Sequence, residues 1–151
     1  MRVLDGAIIV MDGVRGVEPQ TETVWRQANK FSVPRMLFIN KMDKPGAAFD
    51  ETLDSVKNRL EGNPIAVGIP LEGNRVLHLL HKCIYAFSGE NGETMTSEAV
   101  TQDHKNYEQW SEAHTALLFA IAETEVEDDA FEEFAFAVIS EEPVTVEQTL
   151  E

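Results

Sequence analysis

Met36-Leu37-Phe38-Ile39-Asn40-Lys41-Met42-Asp43 runs apolar for four residues and then turns abruptly polar. A short continuous apolar run behind Pro34 is the pattern of a strand buried on both faces. Toward the amino terminus, Ala7-Ile8-Ile9-Val10-Met11 repeats the pattern. Gly13 and Gly16 break that run. Pro19 then suits the first turn of a helix, where its missing N–H is not needed. Val24, Trp25, Ala28 and Phe31 follow at i, i+1, i+4 and i+7, one apolar helix face. Strand, helix and strand within about 35 residues predict a right-handed βαβ unit on a parallel sheet. Open parallel sheets bind ligands beyond the carboxyl ends of their strands, which is where Asn40 to Asp43 fall.

Beyond Pro45-Gly46, Leu53, Val56 and Leu60 mark a second helix, ended by Gly62-Asn63-Pro64. The pattern then changes. Ile65 to Leu71 and Arg75 to Phe87 read as strands, and Asn91-Gly92 is a hairpin signal before Glu93-Thr94-Met95-Thr96. Tyr107, Trp110, His114, Leu117, Leu118 and Ile121 form a long amphipathic series. Ala130, Phe131, Phe134 and Val138 predict a further helix, with Asp128 and Asp129 at its positive end. Thr145-Val146-Glu147-Gln148 is a capping box that opens another. The expected class is α/β over residues 1–63, a small α+β unit over 64–144, and the start of a helix over 145–151.

Charge divides along a similar line. The net charge of −15 comes from 12 basic and 27 acidic side chains. Residues 1–87 hold 11 Lys/Arg against 10 Asp/Glu, whereas residues 88–151 hold Lys105 alone against 17 Asp/Glu. So acidic a surface repels phosphate backbones, which argues against direct DNA binding, and leaves a solvated face or a basic protein partner. Apolar runs are too short for a membrane span, and Met1 to Asp5 show no signal-peptide pattern. The single cysteine, Cys83, excludes an internal disulfide framework and suits a reducing interior.

Asn40-Lys41-Met42-Asp43 carries the chemistry. Guanine presents its N1–H and exocyclic amine side by side, and a fixed Asp43 carboxylate can accept both in a bidentate, charge-assisted pair. The Asn40 amide can donate toward the O6/N7 edge, and Lys41 can lay its stem over the base while its ammonium stays in water. Adenine lacks both donors and would leave the carboxylate desolvated and unpaired, a cost of roughly 1–3 kcal/mol or more. An ordinary strand-end loop in which Asp43 caps the next turn is the plainer alternative.

Around this loop the sequence resembles the GTP-binding domain of elongation factor G. The likeness rests on Met1 to Ala7, on Gly16-Val17-Glu18-Pro19-Gln20-Thr21-Glu22-Thr23-Val24-Trp25-Arg26-Gln27-Ala28, and on Val33-Pro34-Arg35 through Asp43. It is dense to about residue 70 and looser at Gly89 to Gly92 and Ala122 to Glu125. The resemblance implies a partial P-loop-type nucleotide-binding domain with the guanine loop, interrupted after Asn63 by an inserted α+β subdomain. It further implies GTP or GDP as ligand, the ribosome as partner, and a stalk-protein contact through the acidic insert. The matching residues are Asn40, Lys41 and Asp43. Val76-Leu77-His78-Leu79-Leu80-His81 departs from the family, standing in place of its usual hairpin and acidic residue.

The family's remaining chemistry has no matching positions. No Gly-x-x-x-x-Gly-Lys-Ser/Thr occurs, so the phosphate cradle, its Lys and the magnesium-binding hydroxyl are absent. The Asp-x-x-Gly switch is absent too: Asp12 to Gly16 is one residue too long and follows the wrong strand. The expectation is therefore weak nucleotide binding, no catalytic residue, no hydrolysis by the chain alone, and Mg2+ only in the complete protein. Met1 aligns with an internal methionine, as in a partial reading frame or truncated copy. The lost strands would leave apolar faces of Ala7–Met11 and Met36–Ile39 exposed. A cytoplasmic setting, or the mitochondrial matrix, fits such a factor. The alternative function is a non-catalytic acidic interaction module for a basic protein.

Other sites are weaker. His78, His81 and Cys83 invite a metal, yet in a strand His78 and His81 face opposite ways, only His81 and Cys83 share a face, and two ligands are too few for structural zinc. Glu123, Glu125, Glu127, Asp128 and Asp129 lack the glycine and spacing of a calcium loop. Trp25 and Trp110 fit a core, and Cys83 fits inert packing.

Overall fold

The computed structural model describes residues 6–90 and 92–125. They form two compact units, one ending at Pro64 and the other beginning at Ile65. The helix expected from Ala130 and the capping box at Thr145 lie outside the described residues.

The first unit runs β1 (Ala7–Asp12), α1 (Pro19–Lys30), β2 (Arg35–Asn40) and α2 (Phe49–Leu60). β1 and β2 pair in parallel without a shift, from Ala7↔Arg35 to Asp12↔Asn40. Pro19 occupies the first turn of α1, and the helix stops at Lys30 with Ser32 in the left-handed region. Ile9 and Met11 point into a core completed by Val17, Trp25, Val56 and Leu60, with Leu37 packed against it.

The alternate residues point away from that core. Ile8, Val10, Met36 and Phe38 are 71%, 62%, 67% and 58% exposed. Burial on both faces of these strands is therefore not realised among the described residues. The periodicity of a strand puts i and i+2 on one side, so core burial of Ile9 and Met11 forces Ile8 and Val10 out. The register sets Ile8 beside Met36 and Val10 beside Phe38, so the exposed side chains make one apolar patch. On α1 the edge of the apolar stripe also reaches solvent, with Trp25 and Ala28 buried and Val24 and Phe31 partly exposed.

Close packing fixes the end of α2. A Cβ on Gly62 would lie 2.8 Å from Trp25 Cζ2 and 3.0 Å from Val56 Cγ1, both core side chains with little room to retreat. The Arg35 guanidinium lies 4.2 Å from the centroid of the Trp25 ring, which holds the indole from another side.

The second unit is an antiparallel meander of β3 (Gly68–Leu71), β4 (Arg75–His78), β5 (Cys83–Ser88) and β6 (Thr94–Ala99), followed by α3 (Tyr107–Glu125). Arg75 to Phe87 is thus two strands and a turn. Leu79 to Lys82 reverse the chain, with Lys82 in the left-handed region at φ 49°. The turn escapes an apolar-run reading because Leu79 is itself core, buried with Leu77, Ile84, Val100, Trp110 and Leu117. Its carbonyl accepts the Trp110 indole N–H at 2.9 Å, a buried bond that fastens α3 to the turn. The Lys82 ammonium stands 4.3 Å from the Trp110 ring centroid. β6 forms one side of the sheet with every residue exposed, and its Thr-Met-Thr-Ser-Glu-Ala sequence is polar enough for water.

Two predictions follow from this packing. Gly62→Ala should lower the stability of the first unit by about 1–3 kcal/mol, as overpacking does, read by urea denaturation. In the second unit, burial lowers the His78 pKa below its ordinary 6.5, with a further push from His81. Burial followed by the Lys82 charge does the same to His114. Both groups bind fewer protons folded than unfolded below pH 6.5, so stability should fall as pH drops through that point. Melting followed by circular dichroism at pH 7.5 and 5.5 should show the loss, and His114→Phe should shrink it.

Candidate functional site at the carboxyl ends of the parallel strands

Parallel, unshifted pairing brings the ends of β1 and β2 together, so Asp12 and Asn40 are neighbours. The loops that follow are stitched to each other. The Gly13 N–H donates to Asn40 O at 2.8 Å, and the Ala48 N–H donates to Gly13 O at 3.0 Å. Gly13 sits close against this loop: a Cβ would stand 2.6 Å from Met42 Sδ, near the end of a flexible side chain, and 3.1 Å from Asn40 O.

α2 anchors the same corner. Ser55 Oγ accepts the Val17 N–H at 3.2 Å and donates to Thr52 O at 2.7 Å. The buried Thr52 hydroxyl donates to Ala48 O at 2.8 Å. Arg59 reaches back to Val17 O and to the Glu22 carboxylate. The β1 loop is therefore held against the helix that follows the guanine-loop candidate.

Within that candidate, Asn40 Oδ1 accepts the Lys41 N–H at 2.8 Å, and Lys41 takes a left-handed backbone at φ 61°. A non-glycine residue rarely adopts that conformation. Lys41 O accepts the Lys44 N–H at 3.1 Å, closing the turn that carries Asp43. The Asp43 side chain is 54% exposed and pairs with Lys44 Nζ at 3.1 Å. The Lys44 hydrogen bond holds the Asp43 pKa below its ordinary 3.8, followed by a backbone hydrogen bond, so the group is an anion at neutral pH. So exposed a pair is screened and cheap to open, which leaves the carboxylate available to other donors.

Asp12 joins the expected residues. Its Oδ2 accepts Lys41 Nζ at 2.7 Å, and its Oδ1 accepts the Val14 and Arg15 N–H groups at 2.9 and 3.3 Å. The Lys41 hydrogen bond lowers the Asp12 pKa most, and the Val14 N–H adds to it. Asn40, Lys41 and Asp43 thus stand on one loop, with Asp12 beside it. Sequence reading treated Asp12 only as the start of a switch segment of the wrong length; in-register pairing of the two apolar runs was the signal that could place it here.

The rival positions fall elsewhere. The turn at Leu79–Lys82 stacks the His78 and His81 rings 4.0 Å apart and nearly parallel, correcting the expectation of opposite faces. His81 Nδ1 lies 2.8 Å from the Tyr85 hydroxyl. Among the described residues no group of three His, Cys, Asp or Glu side chains is placed to hold a metal. Trp25 and Trp110 are core residues. An open hollow lined by Ala7, Ile8, Pro34 and Met36 lies at the amino ends of the strands, away from Asp43.

If the contact with Lys41 sets the Asp12 ionisation, the carboxyl should titrate below 3.8 in a carbon-13 shift titration. Lys41→Met should raise that midpoint. The sign follows from the lowered value: the pair is intact above the ordinary carboxyl range and is lost as pH falls through the folded midpoint.

The chain matches the elongation factor Tu GTP binding domain family over residues 1–143. A parallel βαβ unit with a polar loop at the strand ends is the framework on which such a domain binds nucleotide. The chain belongs to the elongation factor Tu GTP-binding domain family, and is a translation-factor-like GTP-binding domain.

Proposed function

We propose that the chain is part of an elongation factor G-type GTPase, with residues 64–144 as an inserted subdomain and Asn40, Lys41 and Asp43 as its guanine-reading residues. The observation that carries this reading is the half-exposed, ionised Asp43 carboxylate on a loop fixed at the carboxyl end of two parallel strands. Guanine satisfies that carboxylate with two adjacent N–H donors. Adenine offers no such pair. Lys41 supplies an apolar stem for the base, and Asn40 supplies the amide toward its acceptor edge.

Binding by the chain alone is weak in this reading, because the charged phosphates find no Gly-x-x-x-x-Gly-Lys cradle in the 151 residues. The chain by itself does not hydrolyse GTP. Mg2+ belongs to the complete protein, because the magnesium-binding hydroxyl after the phosphate-loop lysine has no counterpart in this sequence. The ribosome is the partner, with the acidic second unit facing a stalk protein, in the cytoplasm or an organellar equivalent. The 17 acidic residues set against one lysine after residue 87 also support a second reading, a non-catalytic acidic module for a basic protein.

Calorimetry with GDP, GTP and ATP separates the two. Weak binding of both guanine nucleotides with no response to ATP supports the first, and an equal or absent response to all three leaves the second. Asp43→Asn exchanges an acceptor for a donor, so preference should move from guanine toward xanthine by about tenfold or more, as expected for a lost charged hydrogen bond. An unchanged preference removes Asp43 from the site.

A further inference from the structure

We infer that Asp12 is a positioning residue for Lys41, holding the lysine stem in place for a guanine base before the nucleotide arrives. The inference rests on the guanine-loop reading above and adds to it a residue from the other strand. Both ends of the lysine are tied. At the backbone, Asn40 Oδ1 accepts the Lys41 N–H, and the residue is held in its left-handed conformation. At the tip, Asp12 Oδ2 accepts Nζ at 2.7 Å.

The carboxylate is itself fixed. Its Oδ1 is engaged by the Val14 and Arg15 N–H groups, which turns Oδ2 toward the lysine. The Asp12 side chain is only 15% exposed, whereas that of Lys41 is 53% exposed, so the anchor is sheltered and the stem remains open to a ligand. The loop that follows Asp12 is fastened to α2 through Ser55 and Ala48, which meet Val17 and Gly13. A free lysine loses much rotamer freedom when it packs on a ligand. Restraint before binding removes part of that cost, which is the advantage of a preorganised site. Asp43 would then decide which base binds, and Asp12 how tightly.

Asp12→Asn in the full chain isolates the contact. Its side-chain oxygen can still accept the Val14 and Arg15 amides, while an NH2 group faces the ammonium. GDP affinity by calorimetry should fall about three- to fivefold, the range for an ion pair with a sheltered member, and the preference for GDP over ADP should stay. Lys41→Met should give a similar fall, and the double variant no further one, because both remove the same restraint. Affinity unchanged in Asp12→Asn, or losses that add in the double variant, would overturn the inference. If the preference for GDP disappears in Asp43→Asn but affinity survives Asp12→Asn, this inference fails alone. If the unaltered chain shows no preference for GDP, the site reading fails and takes this inference with it.

Discussion

The parallel pairing of β1 with β2 is the constraint from which the rest of the first unit follows. Six residue pairs without a shift, ending at Asp12↔Asn40, decide which side chains enter the core and which polar groups meet at the strand ends. A slip of one residue would turn Ile9 and Met11 outward. It would also part Asp12 from Lys41. Core packing and site geometry are thus set by one register, and the helices reinforce it: Trp25 packs from α1, and Val56 and Leu60 from α2.

The loops at the strand ends translate that register into chemistry. Gly13, lacking a side chain, lets the two loops touch through backbone hydrogen bonds. Asn40 spends its side-chain oxygen on the Lys41 amide, which leaves its NH2 group as the part of the side chain able to donate outward. Asp43 keeps an exposed charge. The strand-end loop is held by contacts within its own unit, and the second unit is built around a separate core of Leu77, Leu79, Ile84 and Trp110.

Much of this was legible in the sequence, for identifiable reasons. Two apolar runs flanking a helical stripe defined the βαβ unit, Pro19 and Pro34 marked the limits of its helix, and Gly62 marked the end of the helix that follows. The Asn40-Lys41-Met42-Asp43 loop stood out because its residue types match the edge of one base. The exposure of Ile8, Val10, Met36 and Phe38 was expected, although the apolar runs do not themselves say which alternate residues face outward. Two features were not legible. The turn at Leu79–Lys82 was hidden because a turn carbonyl buried beneath Trp110 permits an apolar turn residue, and Lys82 gives no local sign of its left-handed backbone. Asp12 was obscure because its partner lies 29 residues away, joined to it only by strand register.

The central claim is that Asp43 receives the paired N–H groups of guanine. Its most direct test is the carbon-13 resonance of the Asp43 carboxyl during titration with GDP and, separately, with ADP. The account predicts a saturable shift with GDP and none with ADP, since the carboxylate exchanges its exposed lysine partner for two base donors. A resonance that stays still with GDP, or moves equally with both nucleotides, would contradict it.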